Sequence, residues 1–364
     1  MISVGSLCTG VAGLELGLTM AGVDHQVGFV ADIDPNICRW LDAHRPDASN
    51  VGDITELDEL PLVDLITAGF PCQGNSTAGN RKGLDDDRWI WDDIARLVGR
   101  MDPRPDLFLE NVPGLLTVNG GDALARVVSS LARLGYVGAY GTLSAADVGA
   151  PHLRKRWWCV ATHASGVAFE RRRGPEGMAR AEGTARLEGG GSDTGRDASR
   201  GGGQAAPDPD SVGLIVGPGP RPSKPAGLRR NGSSDNRDPA APHADSDGSD
   251  PVTDSARQGQ PDTRGGVPAD ERDRTRAVFG EYAPAIERWE RVMGRAAPHP
   301  TIDGQLSHYF DEWLQGYPEG WVTDTLDDRR PALHALGNAP VPLCAAHAYR
   351  QLAARLDTPI GVAA

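Results

Sequence analysis

The side chains in this sequence that could do chemistry stand where apolar runs stop. Cys72 follows the run 64–68, and Gly69, Pro71, Gly74 and Gly79 around it forbid regular structure for about ten residues. A thiol on such a loop, just past the carboxyl end of a buried strand, lies at the edge where open parallel sheets bind ligands. It reads either as a nucleophile or as an inert cysteine, although an inert one belongs more naturally inside the strand, packed as a small hydrophobe. Glu110 closes a second apolar run in "LFLENVPG". An acid there is partly desolvated, which raises its pKa and lets it donate a hydrogen bond to a substrate ring. A capping or salt-bridging glutamate at the sheet edge is the plainer alternative. In "PHLRKRWW", Arg154 and Arg156 share one side of an extended stretch, with Lys155 on the other. They form either a solvated face or a grip on the oxygen of a base or phosphate.

Two further strand ends suit a nucleoside. "SLCTGVAGLELG" puts Gly10 and Gly13 in a turn that runs into a helix, so a ligand can approach the backbone there. "FVADIDP" places Asp32 where an acid takes the two hydroxyls of a ribose. Asp32 could instead cap the helix beginning at Pro35, but Asp34 is better placed to do so. Asp53 in "GDIT" is either a further acid of this site or a solvated loop residue.

These residues need a frame. Residues 1–162 alternate strand-like runs with helical stretches, the rhythm of a doubly wound α/β sheet. The spacing predicts strands over 2–7, 27–31, 64–68, 106–109, 138–143 and 157–161, and helices near 14–21, 35–44, 89–100 and 123–134. Neighbouring strands bring the Cys72 and Glu110 positions within one or two strand spacings of about 4.8 Å.

Residues 165–276 are different. Gly, Pro, Arg, Asp and Ser dominate, no aromatic residue lies between Phe169 and Phe279, and "PDPDSVG", "PHADSDG" and "PVTDSAR" look like decayed short repeats. Such a stretch cannot bury enough apolar surface to offset its ordering entropy and reads as a mostly disordered, low-complexity insertion. Order is expected to return from Ala277, with Tyr282, Ile286, Trp289 and Val292 at helical spacing as core. The division is therefore a catalytic and cofactor-binding domain over 1–164, the insertion over 165–276, a remnant recognition region over 277–304, and a return to the catalytic domain over 305–364.

Composition narrows the classes. Of 364 residues 39% are hydrophobic, low enough to agree with a segment that builds no core. The net charge of −13 gives no general attraction to nucleic acid, so any such contact must come from a local basic surface. No run of 18 apolar residues and no apolar leader is present, so no membrane partner is expected. The five cysteines are scattered, without CxxC or Cys/His ligand spacing; neither disulfides nor a metal site is expected, and a reducing cytoplasm fits.

In order along the chain, "CTGVAGLELG", "DIDP", "GFPCQGNSTAGNRKGLDDDR", "ENVPGLL", "SAADVGAPHLRKR", "LQGYPEGWV" and "LGNAPVP" resemble seven motifs of the DNA (cytosine-5) methyltransferases. The resemblance implies a Rossmann-like methyltransferase sheet with a small, largely irregular target-recognition region. It implies S-adenosylmethionine as cofactor, double-stranded DNA as partner, and a monomer acting with or without a cognate restriction endonuclease. By likeness Cys72 is the covalent nucleophile, Pro71 orients its loop, Glu110 engages the base, and Arg154 and Arg156 hold it. The cofactor pocket falls, by the same likeness, on Thr9, Gly10, Val11, Gly13, Leu14, Asp32, Ile33, Asp53, Ile54, Gly69, Asn338 and Ala339.

Departures from the family pattern concentrate around the cofactor. Cys8 replaces the phenylalanine that covers the adenine, Ser6 an acid, Ala12 a glycine, His152 a glutamine and Ala339 a serine. Two other readings share the motifs: a tRNA cytosine-5 methyltransferase, and a non-catalytic DNA-binding relative, which would be expected to have lost its nucleophile or acid.

Overall fold

The structure, a computed structural model, describes residues 1–71, 89–163, 213–215 and 269–357. Its strands are β1 (Ile2–Leu7), β2 (His25–Ala31), β3 (Ser49–Asn50), β4 (Leu65–Gly69), β5 (Asp106–Asn111), β6 (Tyr136–Leu143), β7 (Arg156–His163) and β8 (Gly213–Ile215), with a separate hairpin, β9 (Thr301–Ile302) and β10 (Gln305–Leu306). The helices are α1 (Gly13–Met20), α2 (Pro35–His44), α3 (Trp91–Arg100), α4 (Asp122–Arg133), α5 (Ala269–Phe279), α6 (Ala283–Met293), α7 (His308–Leu314), α8 (Arg329–Asn338) and α9 (Pro342–Asp357).

One mixed sheet has the order β3-β2-β1-β4-β5-β7-β6-β8. The first five strands in that order run parallel, and β7 is antiparallel to both β5 and β6. The order reverses between β1 and β4, so the carboxyl ends of those strands open the crevice expected of a doubly wound sheet. The unbroken apolar runs follow from burial on both faces. Leu107, Leu109 and Trp157 face a core with α3 and α4, whereas Leu65, Phe108 and Trp158 face one with α1, α6, α7 and α9. A third core joins α2, α8 and the 317–326 loop to the turn after β1, through Val11, Trp40, Tyr317 and Leu336.

Local chemistry accounts for the helix starts. Asp34, not Asp32, caps α2, accepting from the backbone N–H of Asn36 at 2.8 Å and of Ile37 at 3.3 Å, with Pro35 in the first turn. Gly17 on α1 is required by packing: a Cβ there would lie 2.4 Å from the Ala345 Cβ of α9. That close approach seats the C-terminal helix on the helix following the glycine turn.

Three expectations are corrected. The insertion is not wholly without core contacts: β8 adds antiparallel to β6, and Ile215 is buried beside the α4 face. A three-residue apolar stretch, "GLI", suffices because no other strand among the described residues pairs with that edge of β6; the rest of 165–268 lies outside the described residues. The ordered part also resumes earlier than Ala277, since α5 begins at Ala269. Finally, Ile286 and Trp289 are core, but Tyr282 is 68% and Val292 48% exposed. Tyr282 precedes α6 at the end of a short 3-10 turn, and Ala283 and Glu290 take the inward positions instead.

Candidate active site

The turn after β1 is built from left-handed backbone. Cys8, Gly10 and Ala12 have φ of 52°, 55° and 54°, the middle one without steric cost and the outer two as strained non-glycines. Thr9 ties the turn to β2, its hydroxyl donating to the Ser6 carbonyl and accepting from the Ala31 N–H. Asp32, one residue past β2, accepts from the Gly10 N–H at 2.9 Å and from the Asp34 N–H at 3.0 Å. Burial pushes its carboxyl up, against the lowering effect of those two bonds.

A Cβ placed on Gly10 would meet no heavy atom within 4 Å, so the turn faces open space. Ile33 beside it is 67% exposed, an unusual position for an isoleucine unless something apolar lies against it. Asp53 accepts from the backbone and hydroxyl of Thr55. Its charge and that of Asp32 both reach Cys8, whose thiol is held up at about 12, chiefly by burial. Val11, Leu14 and Ile54, expected around a cofactor, turn their side chains into the cores. They can offer only backbone. Gly13 is fixed by contact: a Cβ would lie 2.4 Å from the Tyr317 hydroxyl and 3.0 Å from the Pro340 carbonyl.

The second cluster sits one and two strands away. β4 and β5 pair in register with Gly69 opposite Glu110, and a Cβ on Gly69 would lie 3.4 Å from Glu110 Oε2. Glu110 is only 5% exposed, and its Oε1 stands 2.9 Å from the Arg156 Nε at the start of β7. Burial raises the carboxyl to about 7, with Arg156 and then Arg154 pulling the other way. Near neutrality it is thus divided between a hydrogen-bond donor and a carboxylate. Pro71 is exposed beyond the end of β4, and Cys72 lies outside the described residues.

Arg154 does not accompany Arg156. Its Nη2 donates among the carbonyls at the end of α8, and its backbone has a φ of 21°. His152 is pushed down to about 4 by burial and by the two arginines, so its ring is neutral at pH 7. Asn338 is exposed at the end of α8, with its amide 3.4 Å from the His334 ring, while Ala339 is buried.

Two groups were missed by sequence reasoning. Asn111 is buried and donates to the Phe70 carbonyl at 2.9 Å, tying the segment that leads into Pro71 to the end of β5. Its place directly after Glu110 was the available signal. Glu312 is buried in α7 and accepts from the N–H groups of Gly320, Val322 and Thr323, which folds the 317–323 loop. From that loop Trp321 donates to the Val11 carbonyl of the glycine turn. Nothing local in sequence marks this pairing. Among the described residues no cluster of His, Cys, Asp and Glu has metal-binding geometry, and no helix is long and apolar enough to cross a membrane.

Residues 2–177 match the family model described as C-5 cytosine-specific DNA methylase. The chain is 36% identical over 159 residues to the Type II methyltransferase M2.BsuMI of Bacillus subtilis (strain 168), covering 43% of this chain and 40% of that protein. It is 35% identical over 158 residues to the Type II methyltransferase M.NgoMIV of Neisseria gonorrhoeae, covering 43% and 50%. The matched part thus spans about half or less of these relatives' own length. Among solved structures, the S. pombe Dnmt2 methyltransferase is similar over 45% of this chain and 51% of its own, at 23% identity and a TM-score of 0.37.

Proposed function

Residues 2–177 belong to the C-5 cytosine-specific DNA methylase family, and from that premise we propose that this chain methylates C5 of cytosine in double-stranded DNA. The observation that carries the reading is the buried Glu110–Arg156 pair, at the sheet edge shared with the loop of Pro71 and with the glycine turn. A target cytosine must leave the base stack to be reached, because its C5 and C6 are enclosed in the duplex. The Cys72 thiolate adds to C6. Glu110, held near neutrality, hydrogen-bonds N3 and the exocyclic amino group and takes up the charge that develops on addition. Arg156 orients Glu110 and offers its remaining N–H groups to the base oxygen. Addition makes C5 nucleophilic; after methyl transfer, loss of the C5 proton and of the thiolate restores the ring.

S-adenosylmethionine supplies the methyl group when bound. The residues suit it: an open face at Gly10, the Asp32 carboxylate anchored on the Gly10 N–H, and exposed Ile33 as an apolar surface for a base. The Type II names of the relatives support a place in restriction and modification.

Expression in a host lacking 5-methylcytosine, followed by genome-wide mapping of that base, tests the proposal. A sequence-specific pattern that disappears with Cys72→Ser is expected. DNA carrying 5-fluorocytosine should trap a covalent complex, because the C5 fluorine cannot be eliminated. Methyl transfer to tRNA and none to duplex DNA would overturn the substrate assignment, and full activity of Cys72→Ser the covalent route.

A further inference from the structure

Arg154 and Arg156 are two residues apart, yet their guanidinium groups serve different ends of the molecule. Arg156 meets Glu110. Arg154 Nη2 lies 3.1 Å from the Leu336 carbonyl, 2.6 Å from that of Gly337 and 2.6 Å from that of Ala339. These carbonyls form the last turn and cap of α8, the negative end of the helix, where a half-buried cation supplies donors that the helix itself lacks. The φ of 21° at Arg154 is a strained conformation for a non-glycine, of the kind that persists only where surrounding contacts hold it.

The segment so gripped leads directly to the cofactor side. Pro340, next after Ala339, accepts from the Tyr317 hydroxyl at 2.8 Å. It also packs so close to Gly13 that a Cβ there would come within 3.0 Å of its carbonyl and ring. Gly13 opens α1, immediately after the turn that carries Gly10. A continuous set of contacts therefore runs from the 152–156 segment, through residues 336–340, to the first turn of α1.

We infer that Arg154 is a positioning residue for the cofactor side of the site: it clamps residues 336–340 behind the glycine turn while Arg156 alone serves the base. The inference rests on the functional reading above, with S-adenosylmethionine as the ligand. An arginine devoted to a base oxygen would keep its donors toward the base pocket; this one spends Nη2 on main-chain carbonyls of the opposite wall.

Titration of S-adenosylmethionine into the full chain without DNA, alongside steady-state methylation, distinguishes the roles. Arg154→Met should weaken cofactor binding at least about tenfold, the loss expected for charge-assisted bonds to carbonyls, two of the three part-buried. Arg156→Met should leave that affinity within about twofold and lower turnover instead. Arg154→Lys should recover much of the loss, since an ammonium brings three donors where Nη2 brings two. Tyr317→Phe, which frees the Pro340 carbonyl without changing charge, should weaken cofactor binding in the same direction and serves if Arg154→Met fails to fold. Wild-type cofactor affinity in Arg154→Met, or in Tyr317→Phe if the first variant does not fold, overturns the inference while the functional reading stands. A wild-type protein that binds no S-adenosylmethionine overturns both.

Discussion

Glu110→Gln separates the ionisation of the candidate acid from its shape. Burial lifts the Glu110 carboxyl from 4.5 to about 7. Below pH 4.5 the folded and unfolded chains both hold this proton. As pH rises from 4.5 to 7, the unfolded chain releases it while the folded chain keeps it, so the native state binds more protons and stability falls. Above 7 the fold carries an ionised, buried carboxylate and the whole cost is present. Each pH unit of displacement corresponds to about 1.4 kcal/mol, so the full cost is about 3 kcal/mol, most of it developing between pH 5 and 8. Glutamine cannot titrate and is free of this term. Urea unfolding of both proteins at those two pH values should show the wild type losing about 2–3 kcal/mol more than Glu110→Gln, because the other titrating groups largely cancel in the difference. Parallel pH dependence in the two proteins would refute the buried, proton-holding acid. Turnover of Glu110→Gln should fall far more than DNA affinity, because the acid acts on charge that appears only during addition.

Other outcomes follow from single contacts. Ile215→Ala removes three carbons from a side chain only 1% exposed and should cost about 2–4 kcal/mol by denaturant unfolding; a loss within about 0.5 kcal/mol, the ordinary surface range, would remove β8 from the fold. Gly13→Ala drives a Cβ to 2.4 Å from the Tyr317 hydroxyl and toward main chain at Pro340, so a destabilisation of about 1–3 kcal/mol is expected in thermal melts, together with weaker cofactor binding. Asp32→Asn keeps a hydrogen-bonding side chain beside Gly10 but removes the charge; cofactor affinity by calorimetry should drop at least about tenfold with little change in melting temperature. Equal losses in both measurements would make Asp32 a structural residue.

The sequence alone was enough for whatever is encoded locally. Strand β1 and helix α2 fall on their expected residues, because an unbroken apolar run marks a strand buried on both faces and an Asp-Pro pair marks a helix start. Placement of Asp32 and Glu110 at strand ends was legible for the same reason: each is a charged residue that stops an apolar run. What the sequence could not contain was the partner of each group. That Arg156 faces Glu110, that Arg154 turns to α8, and that Trp321 reaches the glycine turn depend on residues tens to hundreds of positions apart. β8 escaped because three residues have no periodicity to read, and their burial is decided by the open edge of β6. Tyr282 and Val292 were assigned to the core from spacing, but Tyr282 ends a short 3-10 turn before α6, and Val292 lies on the outer face of α6, whose inward positions are Ala283, Ile286, Trp289 and Glu290. Residue type and local order are written in the chain; which face meets which, and therefore which charges are desolvated together, arises only when the sheet and its helices close around them.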